Sequence, residues 1–177
     1  PPAAGEAVFQ VFDAITFALA YALGAVILLG QADARLAIPL LLWLFLYKVF
    51  GLEPAYYHSA ILLLHAANAV LIYVLFRKLV RQEVALVSAL FFSVFTGHNE
   101  AVQWVSGFFD VTCTFFFLCS IIAFVIFFQT RRRRFYFLSI GLAVLSILSK
   151  ETAITLPVIL MALTIYLSNG SDMRKAA

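Results

Sequence analysis

Residues 111–128 read VTCTFFFLCSIIAFVIFF, and residues 129–134 follow as QTRRRR. The first stretch carries no charge, and as a helix it rises about 27 Å, close to the roughly 30 Å hydrocarbon core of a bilayer. The four arginines then stop it abruptly, as basic residues do at a membrane edge. Working downstream, Phe135–Leu148 is a second apolar run, Ser149-Lys150-Glu151 interrupts it, and Thr152–Leu167 continues. Pro157 is expected to kink this last helix. Working upstream, polar residues gather at Thr96, His98, Asn99, Glu100, Gln103, Ser106 and Asp110. Before them come an apolar run Val84–Phe95, the basic cluster Arg77, Lys78 and Arg81, and a helix from Tyr56 to Phe76. Gly51-Leu52-Glu53-Pro54 is a break. Leu36–Phe50, with Pro39 and Lys48, either spans or lies along the interface. The loop Gly30–Arg35 separates it from Ala7–Leu29, interrupted only by Gln10, Asp13 and Thr16.

Composition agrees with this reading. Of 177 residues, 64% are hydrophobic and 12% charged, and the mean hydropathy is +1.03. A soluble domain carries about 45–50% apolar and about 25% charged residues, so only lipid accommodates the excess apolar surface. The 19 phenylalanines suit lipid-facing and helix-packing positions. The expected fold is all-α, a polytopic transmembrane bundle of about six to seven membrane-embedded helices. Nucleic-acid binding is excluded by placement, because the basic clusters abut apolar segments. Cys113 and Cys119 stand six apart in an apolar run without metal-ligand spacing, and read as packing residues. The chain opens Pro-Pro-Ala-Ala-Gly-Glu with no basic n-region, unlike a signal peptide. Ser168–Asp172 and the following Met173-Arg174-Lys175 read as a loop. Residues 1–177 are therefore expected to form a single transmembrane domain, a piece of a longer protein.

The basic clusters orient the bundle. With Arg77, Lys78 and Arg81 in the cytoplasm, the helices that follow place Arg131–Arg134 and then Arg174 and Lys175 there too. Thr96–Asp110, Lys150-Glu151 and the Glu53–His58 corner then converge on the outer face. Before Tyr56 the topology depends on whether 36–50 spans.

At that face Glu100 and Asp110 flank an aromatic segment containing Trp104, Phe108 and Phe109. Carboxylates at membrane depth are costly unless paired or wetted, which makes them functional candidates. Such a group accepts a proton from an acceptor hydroxyl, or holds a divalent cation such as Mg or Mn on a phosphate-bearing donor; the alternative is an ordinary solvated loop. Lys150-Glu151 reads either as a phosphate-contacting pair or as a turn. His58, His65 and Asn68 share one helix face. For His65 and Asn68 interhelical hydrogen bonding is the favoured reading, and His58, nearer the outer end, is the better site candidate. Asp13 is a lone acid whose role stays open. No phosphate loop, nucleophile elbow or metal-binding His/Cys spacing occurs.

The order of these motifs resembles a known family. Gly51-Leu52-Glu53-Pro54-Ala55-Tyr56-Tyr57-His58, continuing through Leu64-His65-Ala66-Ala67-Asn68-Ala69 to Tyr73, is similar to the "G-L-x-P-x-x-Y-H … L-L-H-x-x-N-A" stretch of GT-C membrane glycosyltransferases. The branch is that of protein O-mannosyltransferases and the TMTC proteins, with their bacterial tetratricopeptide-repeat relatives. His98-Asn99-Glu100-Ala101-Val102-Gln103-Trp104 through Gly107 and Asp110 resembles "H-T-E-A-V-x-W-x-x-G-R-x-D". Leu148-Ser149-Lys150-Glu151 through Leu156-Pro157 resembles "L-S-K-E-x-A-x-T-L-P". The resemblance spans about Gly51 to Leu167. It implies a GT-C-like fold and transfer of a sugar from a polyprenyl phosphate, drawn from the membrane lipid, to a protein or glycan hydroxyl. Glu100 and Asp110 would be catalytic. His58, His98, Asn99, Trp104, Lys150 and Glu151 would bind substrate or phosphate, and a divalent cation is a possible cofactor. The resemblance also implies a bacterial inner membrane or endoplasmic reticulum. Three departures stand out: Phe108 occupies the motif's Arg position, Thr96 replaces a Pro, and no paired acids precede Glu53. The competing reading is a transporter or an inactive scaffold of the same fold, for which polar residues at midplane, here His65 and Asn68, are the mark.

Overall fold

The computed structural model describes residues 37–175, and the side chains of these except residues 98–100, 105, 165 and 168–175. The predicted run Ala7–Leu29 with Asp13, and the loop Gly30–Arg35, lie outside the described residues. Seven α-helices and three 3-10 turns follow one another, with no strand among the described residues. In chain order they are α1 (Ala37–Phe50), α2 (Pro54–Leu79), α3 (Gln82–Val94), a turn Thr96–His98, α4 (Asn99–Gln103), a turn Val105–Gly107, α5 (Phe108–Thr130), α6 (Arg133–Ile147), a turn Glu151–Thr155 and α7 (Leu156–Lys175).

Two helices, α2 with 26 residues and α5 with 23, are long and apolar enough to cross a membrane. They rise about 39 and 35 Å. The most apolar window of α2 is only 17% buried within the chain. Leu63, Val70, Val87, Phe91, Val94 and Met161 all face outward, each at least 60% exposed. A water-soluble domain rarely leaves so much contiguous apolar surface uncovered, whereas lipid covers it at no cost.

The middle of the bundle is α5. It buries residues along its whole length, from Phe108 to Val125. On one side it packs against α6 in antiparallel register through small residues. Ser120 Oγ donates to the Ser139 carbonyl at 2.8 Å, and Ser139 Oγ donates back to the Ser120 carbonyl at 2.9 Å. Two turns away Ser146 Oγ donates to the Cys113 carbonyl at 3.0 Å. Such serines let membrane helices approach closely and replace the hydrogen bonds that lipid cannot supply. On the other side α2 runs parallel to α5. Asn68 Nδ2 donates to the Val111 carbonyl at 2.9 Å, and Leu75 joins Leu118, Ile121, Val125 and Leu156 in the main core. Asn68 and His65 do hold helices together: His65 Nε2 lies 3.3 Å from the Ser93 carbonyl and its ring stacks on Phe92.

Two ends follow from this register. The basic turns after α2 and α5 share one end, where Gln129 Nε2 reaches the Lys78 carbonyl at 3.5 Å. The starts of α2 and α5 and the close of α6 share the other. Helix α1 belongs wholly to this second end. Its first turn donates from Ile38 N to the Leu148 carbonyl at 3.3 Å, and its last residue adjoins the break into α2. Trp43 and Leu46 cover Ile61, Phe108 and Val111. At 14 residues, about 21 Å, α1 lies across the end of the bundle. Both ends of residues 37–50 thus meet the same end of the bundle, an arrangement that fits the interface alternative better than a span.

Two expectations are corrected, and one alternative is decided: Thr96–Gly107 is not an ordinary loop but two 3-10 turns and a short helix, and Phe108–Asp110 open α5. Helix α3 stops beside His65, about midway along α2, and the chain climbs the remaining distance in these turns. Pro157 does not kink a helix: it is the second residue of α7, where a missing N–H costs no intrahelical bond. The predicted loop Ser168–Asp172 is helical, as α7 runs unbroken to Lys175; Ser and Asn are poor but tolerated helix residues, with Gly170 the main propensity cost.

Candidate functional site

Three turns at the end opposite the arginines build the candidate site, and each is shaped by a residue of the quoted motifs. In the first, Gly51 closes α1. Its amide donates to the Tyr47 carbonyl at 2.8 Å, and its φ of +65° is the left-handed conformation that favours glycine at a helix C-terminus. Pro54 then opens α2, where its fixed φ suits a first helical position. One turn on, the Tyr57 hydroxyl donates back to the Gly51 carbonyl at 2.6 Å, and its ring meets Trp43 at 5.6 Å. Gly, Pro and Tyr of this motif thus fix the corner, and His58 is half-buried beside it.

The second turn precedes α5. Gly107 is buried, and its amide donates to the Trp104 carbonyl at 2.9 Å. A Cβ at this position would fall inside van der Waals contact of the Ala101 backbone carbonyl, so only glycine lets α4 fold back this closely. Val102 and Phe108 then seat the turn against Ile61. Asp110 follows in the first turn of α5, where a carboxylate is favoured by the helix dipole. Counting about 20 residues, or 30 Å, back from Arg131 reaches Val111. Asp110 therefore stands where the hydrocarbon would end.

The third turn follows α6. Ser149, fully buried, donates its hydroxyl to the Leu145 carbonyl at 2.8 Å. The Lys150 amide donates to the Ser146 carbonyl at 3.1 Å. Cys113, one turn below Asp110 on α5, sets its sulfur 3.9 Å from the Lys150 carbonyl and 3.8 Å from Thr152 Oγ1. With its backbone held against Cys113, Lys150 extends toward Asp110. Lys150 Nζ donates to Asp110 Oδ1 at 2.5 Å. The pair keeps side-chain exposures of 29% and 41%, so it faces water or a ligand rather than the core.

The arrangement brings together two of the residues singled out from sequence, from motifs 40 positions apart. Glu151 is exposed next to the pair, and Trp104 is 64% exposed on the neighbouring turn. No hydrogen bond or ion pair joins His58, Trp104 or Glu151 to Asp110–Lys150 among the described residues. His98 closes the turn Thr96–His98, and Asn99 and Glu100 begin α4; their side chains lie outside the described ones. Among the described residues no group of three His, Cys, Asp or Glu comes together to hold a metal. Sequence reasoning missed Cys113, Ser146 and Thr152 as the clamp on the Lys150 turn. The signal was there: Cys113 lies three residues after Asp110, on the same helix face. The departure at Phe108 also has a structural reason. That side chain is 5% exposed, in the cluster with Ile61 and Val111, where a cation would meet only apolar groups.

No curated protein and no solved structure matches the chain. A family model described as dolichyl-phosphate-mannose-protein mannosyltransferase matches residues 38–175. That match runs from α1 to the end of α7 and takes in all three turns of the site. The chain belongs to the dolichyl-phosphate-mannose-protein mannosyltransferase family.

Proposed function

We propose that this chain is the membrane domain of a GT-C-like glycosyltransferase, within a longer multi-pass protein, that moves a sugar from a polyprenyl phosphate to a protein or glycan hydroxyl. The single observation that carries the reading is the Asp110–Lys150 pair at 2.5 Å, half-exposed at the bundle end away from the arginines. Positive charge at the arginine end marks the cytoplasmic side, and the pair then lies at the outer edge of the membrane, within reach of a lipid-linked phosphate. The motif order favours the branch of TMTC proteins and bacterial tetratricopeptide-repeat relatives.

In the reaction the acceptor oxygen attacks the anomeric carbon and passes its proton to a carboxylate. The bond from that carbon to the phosphate oxygen breaks, and the lipid phosphate departs with inversion at the sugar. Negative charge builds on the departing phosphate, and Lys150 stabilises it. Asp110 holds the ammonium in place with one oxygen, and Glu100, the other acid of the same motif, serves as the proton acceptor. With Phe108 in the core, Lys150 carries the charge that an Arg at that position would have shared. No step is assigned to a divalent cation. The transporter reading has less support, because His65 Nε2 and Asn68 Nδ2 bond to neighbouring helices, although Asn68 Oδ1 is buried with no partner among the described residues.

The test is transfer of labelled mannose from a polyprenyl-phosphate donor to a serine- and threonine-containing peptide, in membranes holding the full-length protein. Lys150→Ala is expected to lower the rate by about 10²–10³, and Glu100→Gln by about 10²–10⁴. Transfer that survives both substitutions unchanged refutes the assignment of the site.

A further inference from the structure

The other end of the bundle carries a second feature, independent of the transfer reaction. Helix α5 ends on Arg131, which adopts a left-handed φ of 54°, and the chain turns at once into α6. All four arginines, 131 to 134, are exposed. Two lie over neighbouring rings, Arg131 on Phe128 at 4.6 Å and Arg134 on Phe135 at 4.9 Å. Arg133 instead lines an open groove of about 320 Å³ with Phe127, Tyr136 and Phe137. The walls are aromatic, with Tyr136 5.3 Å from Phe127 and 5.7 Å from Phe137. Phe137 is 67% exposed, so one side of the groove opens to the lipid.

Charge at this end is unbalanced. Arg77, Lys78 and Arg81 adjoin the arginine turn, and the nearby acid Glu83 pairs with Arg81 at 3.5 Å. No carboxylate pairs with Arg131–Arg134 among the described residues. A cation beside an apolar groove at the membrane edge matches one kind of molecule, an anion carrying a hydrocarbon chain. We propose that Arg133 and the groove of Phe127, Tyr136 and Phe137 bind an anionic phospholipid, its phosphate on the guanidinium and one acyl chain along the rings. Bulk attraction of basic residues to acidic lipid acts on every arginine alike; the groove makes Arg133 different from the rest.

The experiment uses the full-length protein in mixed micelles of phosphatidylglycerol and phosphatidylcholine, with bound lipid counted by native mass spectrometry. Retention of phosphatidylglycerol over phosphatidylcholine is expected. Arg133→Ala should weaken retention about fivefold or more, the loss of one basic contact, while Arg77→Ala, at the same end but outside the groove, changes it less. A diazirine on the acyl chain of phosphatidylglycerol should label the peptide holding Tyr136 and Phe137 in the unmodified protein, a readout that needs no variant to fold. Equal retention of both lipids, equal loss in Arg77→Ala and Arg133→Ala, or labelling elsewhere overturns the proposal. Displacement by inorganic phosphate at similar concentration also overturns it, since the groove would then contribute nothing.

Discussion

Removing Lys150 tests the candidate site most directly. At 2.5 Å, with an effective dielectric of about 20, the attraction between Lys150 and Asp110 is about 7 kcal/mol. Most of this is offset. Side chains that keep 29% and 41% of their surface are screened by water, and both lose hydration on pairing. Exposed pairs net about 0–1 kcal/mol, whereas loss of one partner of a buried pair costs about 3–5 kcal/mol. A pair between these limits should show a coupling of about 1–2 kcal/mol. The perturbation is the cycle Lys150→Met, Asp110→Asn and the double variant. Each single change strands one charge at the hydrocarbon edge, while the double change strands none. Melting in one detergent is expected to fall by about 3–6 °C in each single variant, and the double variant should fall by less than the sum. Additivity within about 0.5 kcal/mol would refute a direct pair. Transfer activity should behave differently: the double variant regains stability but not rate, because the ammonium that meets the phosphate is gone.

Further outcomes follow from packing and orientation. Gly107→Ala sets a methyl group against the Ala101 carbonyl and should cost about 2–3 kcal/mol by thermal or denaturant melting; Gly141→Ala, where a Cβ meets nothing within 4 Å, should be neutral or stabilising by up to about 1 kcal/mol. Replacing Ser120 and Ser139 together by Ala removes the reciprocal bonds between α5 and α6 and should cost about 1 kcal/mol in the same assay, at about 0.6 kcal/mol for each side chain. In an otherwise cysteine-free background, with Cys113 and Cys119 replaced by Ser, an impermeant maleimide applied outside intact cells should label Trp104→Cys and spare Arg134→Cys. The reverse pattern would invert the assigned topology.

Much of the fold was legible because a bilayer imposes length. The uncharged run to Phe128 and the arginines after it could form little besides a spanning helix, and α5 begins three residues before the predicted Val111. Shorter elements were harder. Leu36–Phe50 has the composition of a span, and only the hydrogen bond from Ile38 to Leu148 shows that it turns back on the same end. Pro157 and the Ser168–Asp172 stretch were misread because local propensity was weighed without knowing where α7 begins. For the site, hydropathy placed Asp110 and Lys150 near one face, but their contact depends on the clamp by Cys113 and Ser146; the spacing of Asp110 and Cys113 puts both on one helix face without telling which turn they meet. Gly107 shows the opposite case: its place in a motif was plain, and the reason for it, the Ala101 backbone, was not.

Helix α1 has one more consequence. Both its ends meet the same end of the bundle, so in a bilayer crossed by α2 and α5 residues 37–50 would add nothing to the parity of crossings. A compartment reporter placed just before Ala37 and another inserted at Leu52 would then give the same answer. Lengthening or shortening this helix should then leave the orientation unchanged and move only the cover that Trp43 and Leu46 place on the end of α5.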